Sequence, residues 1–115
     1  MSTLIIHHDD CIRHDPGPKH PESSHRIRAV MRGLEGLNGL QRLPAPHATI
    51  DQIGRAHPFD FWDEIRGQEP TEGRVAIDPD TYLNRGSIDA ALRASGGLCF
   101  AIDQILSDQA LRAFC

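Results

Sequence analysis

Apolar positions are spaced along this chain in two rhythms, and the change from one to the other marks its elements. Leu4-Ile5-Ile6 is a continuous apolar run, as in a strand covered on both faces. From Pro21, a good first helical residue, Ile27, Val30, Met31 and Leu34 recur at i, i+3, i+4 and i+7 until Gly33, Gly36 and Gly39 interrupt them, which predicts an amphipathic helix over 21–35. Leu40 to Leu43 suits a short strand closed by Pro44 and Pro46. Thr49 is placed to cap a brief helix over 49–54 with Ile50 and Ile53 inward, and Pro58 to open another over 58–66 with Phe61, Trp62 and Ile65 inward. Residues 66–80 read as a polar loop ending in Ile77-Asp78-Pro79-Asp80-Thr81.

Ser87 then caps the longest predicted helix, 87–107, along which Ile88, Ala91, Leu92, Ser95, Cys99, Ile102 and Leu106 advance in steps of three and four. Gly96-Gly97 inside it disfavours helix by roughly 1 kcal/mol per glycine against alanine, so the pair predicts close approach of another backbone. Leu111 to Cys115 reads as a further strand. Strands alternating with helices give an α/β class, with about three strands and flanking helices. Ligands of open α/β sheets sit beyond the carboxyl ends of strands, so a chain ending within a strand reads as one piece, 1–115, of a larger domain.

Composition narrows the function classes. A net charge of −4 and an isoelectric point near 5.9 leave no basic field for direct nucleic-acid binding. Cys11, Cys99 and Cys115 form no CxxC pair, so neither a disulfide framework nor a cysteine zinc site is expected, and a reducing cytoplasm suits them. MSTLIIHHDD meets acid after a short apolar run and has no signal-peptide core, and no apolar run approaches membrane-spanning length.

The candidate chemistry lies in residues 7–26, HHDDCIRHDPGPKHPESSHR, which hold five of the seven histidines. They lack H-E-x-x-H and paired Cys/His spacing, and adjacent His7 and His8 on a strand point to opposite faces, so no metal site is expected from this cluster. Taken singly, His14 and His25 suit solvated or backbone-bonded roles, and His57 a packing role. Ser23 and Ser24 fit a first helical turn, no G-x-S-x-G is present, and the histidines near Cys11 in sequence do not by that nearness make a Cys-His pair, so no nucleophile constellation emerges.

Order is the informative feature. His7, Cys11, His14, Gly17, His20-Pro21-Glu22 and Arg26, followed by Arg55-Ala56-His57, Asp78-Pro79-Asp80-Thr81, Gly86-Ser87, Ala90-Ala91 and Gly96-Gly97, resemble in sequence the start of the histone deacetylase superfamily. The likeness is strongest to its bacterial acetylpolyamine amidohydrolase and acetoin-utilisation branch. Ser24 departs from it where the family usually has proline.

The resemblance implies an arginase-like fold of which this chain is the N-terminal portion, a parallel sheet between helices whose first strands lie in the order 2-1-3. It implies a Zn2+ ion in the full-length enzyme and an acetylated amine or acetyl-lysine as substrate. The family's metal-binding Asp-x-His pair, second Asp and tandem His come after the point reached by Cys115, so the resemblance gives this chain no catalytic or metal-binding residue, and no zinc of its own. It carries over His20, Pro21 and Glu22 as part of a gorge loop spanning 7–22, and Arg26 as a channel residue able to hold departing acetate. Asp78 and Asp80 become residues of the gorge rim. Asp78 and Asp80 equally suit turn formation, and Arg26 a surface ion pair. The resemblance also implies an uncovered edge at Leu111–Cys115, through which the chain is expected to self-associate. A stand-alone ligand-binding or subunit-assembly module derived from the same fold is the alternative.

Overall fold

A computed structural model describes residues 2–115. Strand β1 (Thr3–His7) is central in a parallel sheet of order β2-β1-β5, flanked by β2 (Leu40–Pro44) and β5 (Arg112–Phe114). Thr3 lies opposite Leu40 on one side and Arg112 on the other. This is the α/β architecture and the 2-1-3 order expected from the sequence. Leu4, Ile5 and Ile6 are all buried, as a strand covered on both faces requires. Leu4 and Ile6 form the core with Ala45, Ala101 and Ala110, against which Leu43, Phe100 and Ala113 pack.

Helix α1 (Ser24–Gly33) starts later than Pro21. Ser23 Oγ accepts the His25 N–H and fixes the start there, while the Glu22 N–H is taken by the His20 ring, so Pro21 stays in the loop. Within the expected loop a short 3₁₀ helix, Asp9–Arg13, follows His8, whose Nδ1 accepts the Asp10 N–H. Helices α2 (Ile50–Gly54) and α3 (Phe59–Gly67) lie where expected, and Thr49 with Gln52 forms a capping box. Their inner faces are narrower than the periodicity suggested. Trp62 is buried, whereas Ile50 is exposed and Phe61, also exposed, stacks on His57 at 5.2 Å.

Two corrections bear on the site. Residues 66–80 are not one loop: β3 (Arg74–Asp78) and β4 (Thr81–Asn84) form an antiparallel hairpin with a register shift between Ala76 and Asp78. Such short strands present too few alternations to announce themselves, and the Asp-Pro-Asp turn signal masks them. Helix α4 (Ser87–Leu106) is capped by Gly86, at φ +106°, rather than by Ser87. The capping acceptor comes from another segment: Glu69 Oε1 takes the N–H groups of Gly86 (3.1 Å) and Ile88 (2.8 Å). Ser87 is thereby free to turn inward.

The buried face of α4 runs through Ile88, Ala90, Gly97 and Ala101, not through Ile102 and Leu106, which are exposed. Gly96 lies against the backbone of residues 46–48 and Gly97 against Ala45, the close approach that the glycine pair predicted. The outer edge of β5 pairs with no strand among the described residues, and Leu98, Ile102, Leu111 and Phe114 on and near it are exposed. No helix among the described residues is long and apolar enough to cross a membrane.

Candidate functional site

At the carboxyl end of β1 the chain leaves the sheet through His7 and His8 into the loop 7–22. The loop roofs a largely apolar cavity of about 800 Å³. Ile5, Ile6, Ala45 and Gly97 line it from the sheet and α4, whereas His14, Glu22, Ser87 and Arg26 supply its polar wall.

Four of the residues singled out in the sequence meet beside this cavity's wall, though of the four only Glu22 lines the cavity itself. His20 Nε2 donates to the main-chain oxygen of Asp80 at 2.7 Å, and His20 Nδ1 accepts the Glu22 N–H at 3.0 Å. Asp78 Oδ1 in turn accepts the Asp80 N–H at 2.8 Å. The loop is therefore fastened to the hairpin turn. The N–H of Asp80, and then Thr81, hold the Asp78 carboxyl below the ordinary range, so the turn-forming role of Asp78 is realised in the structure. Pro21 and Arg26 are exposed, and Arg26 lines the cavity from the first turn of α1.

Other contacts were not legible beforehand. His14, expected to be solvated or backbone-bonded, instead joins side chains from two segments: its Nδ1 is 2.8 Å from Ser87 Oγ and its Nε2 is 3.2 Å from Glu22 Oε2. Ser87 Oγ accepts the Asn84 N–H and lies 2.7 Å from Asn84 Oδ1, so its one hydrogen has two acceptors in reach, Asn84 Oδ1 and the His14 ring. Asp10 Oδ2 accepts from Arg93 Nε at 3.0 Å, and Arg93 donates as well to the Ala45 carbonyl, tying the 3₁₀ helix to α4 and to the end of β2. That Arg93 bond chiefly holds the Asp10 carboxyl below its ordinary range.

His7 is the exception to this pairing. Its Nε2 is buried without a hydrogen-bond partner, and the nearest carboxylate oxygen, on Asp9, is 3.8 Å away. Burial pushes its pKa below the usual histidine range, with Asp9 opposing. Between that lowered pKa and about 6.5 the unfolded chain binds more protons at this position than the folded chain, so His7 removes stability as pH falls through that window. The fall in the urea midpoint between neutral pH and pH 5.5 is expected to be smaller in His7→Gln than in the wild type. Equal falls would mean that His7 charges as freely in the fold as in the unfolded chain.

Comparison with known proteins gives this arrangement a family. A model of the histone deacetylase domain matches residues 20–115, beginning at the His20 that fastens the loop. The chain belongs to the histone deacetylase domain family. It is 29% identical to a probable deacetylase of Archaeoglobus fulgidus, an alignment covering 99% of this chain and 33% of that protein. It is 27% identical to histone deacetylase 8 of Arabidopsis thaliana, over 89% of this chain and 32% of that one. The solved HD domain of HDA15 superposes with a TM-score of 0.85 at 21% identity, covering 98% of this chain and 34% of that one, which supports the fold. This member thus spans about a third of the length of the curated relatives it matches.

Enzymes of the histone deacetylase family typically use zinc. Among the described residues no three His, Cys, Asp or Glu side chains converge as a metal-holding group. His8 Nδ1, although 3.3 Å from Asp10 Oδ2, is already the acceptor of the Asp10 N–H. The donor set of the described residues does not fit a zinc ion.

Proposed function

We propose that this chain is the N-terminal part of a zinc-dependent deacetylase that hydrolyses acetyl-amide bonds of the acetyl-lysine or acetylpolyamine kind, on the acetylpolyamine amidohydrolase side of its family. Its own share is the wall and rim of the substrate gorge. His20, Pro21 and Glu22 shape the entrance, Asp78 and Asp80 meet the amide or the amine cation of the substrate, and the Arg26 guanidinium receives departing acetate. The observation that carries this reading is the fastening of His20 to the Asp80 main chain next to Glu22, which with Arg26 lines a cavity at the carboxyl end of the central strand. Alone, the chain lacks the water-activating groups and turns nothing over. Its β5 edge, with an exposed apolar side chain in Phe114, leads it to self-associate.

Titrating the chain with acetate and with a mono-acetylated diamine, followed by amide and arginine side-chain NMR, tests the proposal. Acetate is expected to shift the Arg26 guanidinium signals, and the diamine those of Asp78 and Asp80. Arg26→Ala should weaken the acetate response by roughly tenfold or more, as for loss of a charged hydrogen-bond partner. The same samples are expected to sediment as self-associated species and to show no zinc-dependent deacetylation. Acetate shifts that survive Arg26→Ala, or turnover by the chain alone, would overturn the assignment.

A further inference from the structure

Two histidines of the loop converge on one residue, Glu22. His14 meets its carboxylate at 3.2 Å, and His20 accepts its backbone N–H at 3.0 Å. Each ring spends its other nitrogen on a different anchor. His14 Nδ1 reaches Ser87 at the start of α4, and His20 Nε2 reaches the Asp80 carbonyl in the hairpin turn. The loop is therefore held at two points, on two elements.

The two rings respond to a proton differently, because their partners differ in kind. Asp80 offers His20 a carbonyl oxygen, an acceptor only, and Glu22 offers it an N–H, a donor only. Both bonds exist only while Nε2 carries the hydrogen and Nδ1 carries none. A proton added at Nδ1 faces the Glu22 N–H and ends that bond. His14 lies between a carboxylate and a hydroxyl. With one ring hydrogen it donates to Glu22 from Nε2 and accepts the Ser87 hydroxyl at Nδ1; with two it donates to both, and the Ser87 hydroxyl turns to Asn84 Oδ1, 2.7 Å away. Asn84 Oδ1 also receives the Asp15 N–H, so it is satisfied in either case.

We infer that His14 and His20 form an acid-responsive clasp on the rim of the gorge, in which protonation of His20 frees the Glu22 N–H, while His20 Nε2 keeps its bond to the hairpin turn and His14 keeps the Glu22 carboxylate tied to α4. The proposal concerns regulation of the rim and rests on the proposed function only for that consequence. The titratable and charged residues beside His20 are Lys19 and Glu22 on the loop, and those of the hairpin turn it meets are Asp78, Asp80 and Tyr82. None of them makes an ion pair with the ring; Tyr82 meets it edge-on, with centroids 6.2 Å apart, and Arg74 is directed to Asp15 at 3.7 Å. The Nδ1 position is faced by a backbone donor, and the clasp acts there.

Amide-proton exchange of Glu22 with water, normalised to an unstructured peptide of the same sequence, reads the clasp without any assay of turnover. On acidification it should accelerate about fivefold to tenfold in the wild type, the range of one lost hydrogen bond, while Leu4 to Ile6 stay protected. In His20→Gln, whose amide both donates and accepts and takes up no proton in this range, the normalised rate should not change with pH. In His14→Gln the acid response should persist. A wild-type rate indifferent to pH, or an acid response retained in His20→Gln, overturns the clasp. Should His20→Gln fail to fold, the ring nitrogen spectrum of the wild type decides: hydrogen on Nε2 at neutral pH supports the clasp, and hydrogen on Nδ1 overturns it. Failure of acetate to bind at Arg26 would refute the proposed function and leave this result untouched.

Discussion

Gly96→Ala is expected to cost about 3 kcal/mol or more, a large share of the 5–15 kcal/mol that holds a domain of this kind together. A Cβ built on Gly96 lies 2.5 Å from the Ala48 nitrogen and 2.6 Å from the His47 carbonyl carbon, and it also meets the Pro46 carbonyl oxygen. All of these are backbone atoms, so no rotamer change relieves the contact. Nor can the segment retreat freely, because the Ala48 N–H donates to the Leu92 carbonyl of α4 at 2.9 Å and the Ala45 N–H to His7. Alanine gains roughly 1 kcal/mol over glycine from helix propensity, which is too little to offset the clash. Gly33→Ala supplies the contrast: nothing lies within 4 Å of its built Cβ, so that variant should be neutral or slightly stabilised. Urea unfolding of the three proteins measures the difference. A Gly96→Ala midpoint close to that of the wild type would show that α4 and the 46–48 segment separate easily, contrary to the packing described.

The Gly96-Gly97 pair was legible because a glycine pair in a long helical pattern has few physical explanations other than close approach. Leu4-Ile5-Ile6 was legible for a similar reason, since an apolar run that short and continuous fits a strand covered on both faces. The parallel order came instead from motif order along the chain, which local physics does not supply. What escaped were features made by partners distant in sequence. Ser87 reads as a cap by its type and place, but Glu69, 19 residues before Ile88, performs that task and leaves the hydroxyl to His14, 73 residues before Ser87. The periodicity of α4 was correct and its face was not. Rows of Ile and Leu suggested the core, yet the fold accepts the flatter row of Ala and Gly, because the segment 45–48 after β2 lies so close that larger residues have no room at Gly96 and Gly97.

That choice of face yields the second large effect. Leu4→Ala should destabilise the chain by an amount in the upper part of the 2–5 kcal/mol range for buried leucines, whereas Leu106→Ala should change stability by about 0.5 kcal/mol or less. Leu4 is 1% exposed and lies in the central strand between Gln41 of β2 and Ala113 of β5, so its removal opens a void at the middle of the sheet. Its neighbours in the core include Ala45, Ala101 and Ala110. Alanines have no side-chain torsion with which to swing into the space, so the cavity stays open and its full cost is felt. Leu106 is 77% exposed in the last turn of α4, and its truncation takes little apolar surface out of any contact. Urea or thermal unfolding at several protein concentrations separates the two. A Leu106→Ala loss as large as that of Leu4→Ala, growing with concentration, would mean that the Ile102–Leu106 face is covered in solution by a second copy, whereas a large loss independent of concentration would mean that this helix packs on its Ile/Leu row after all.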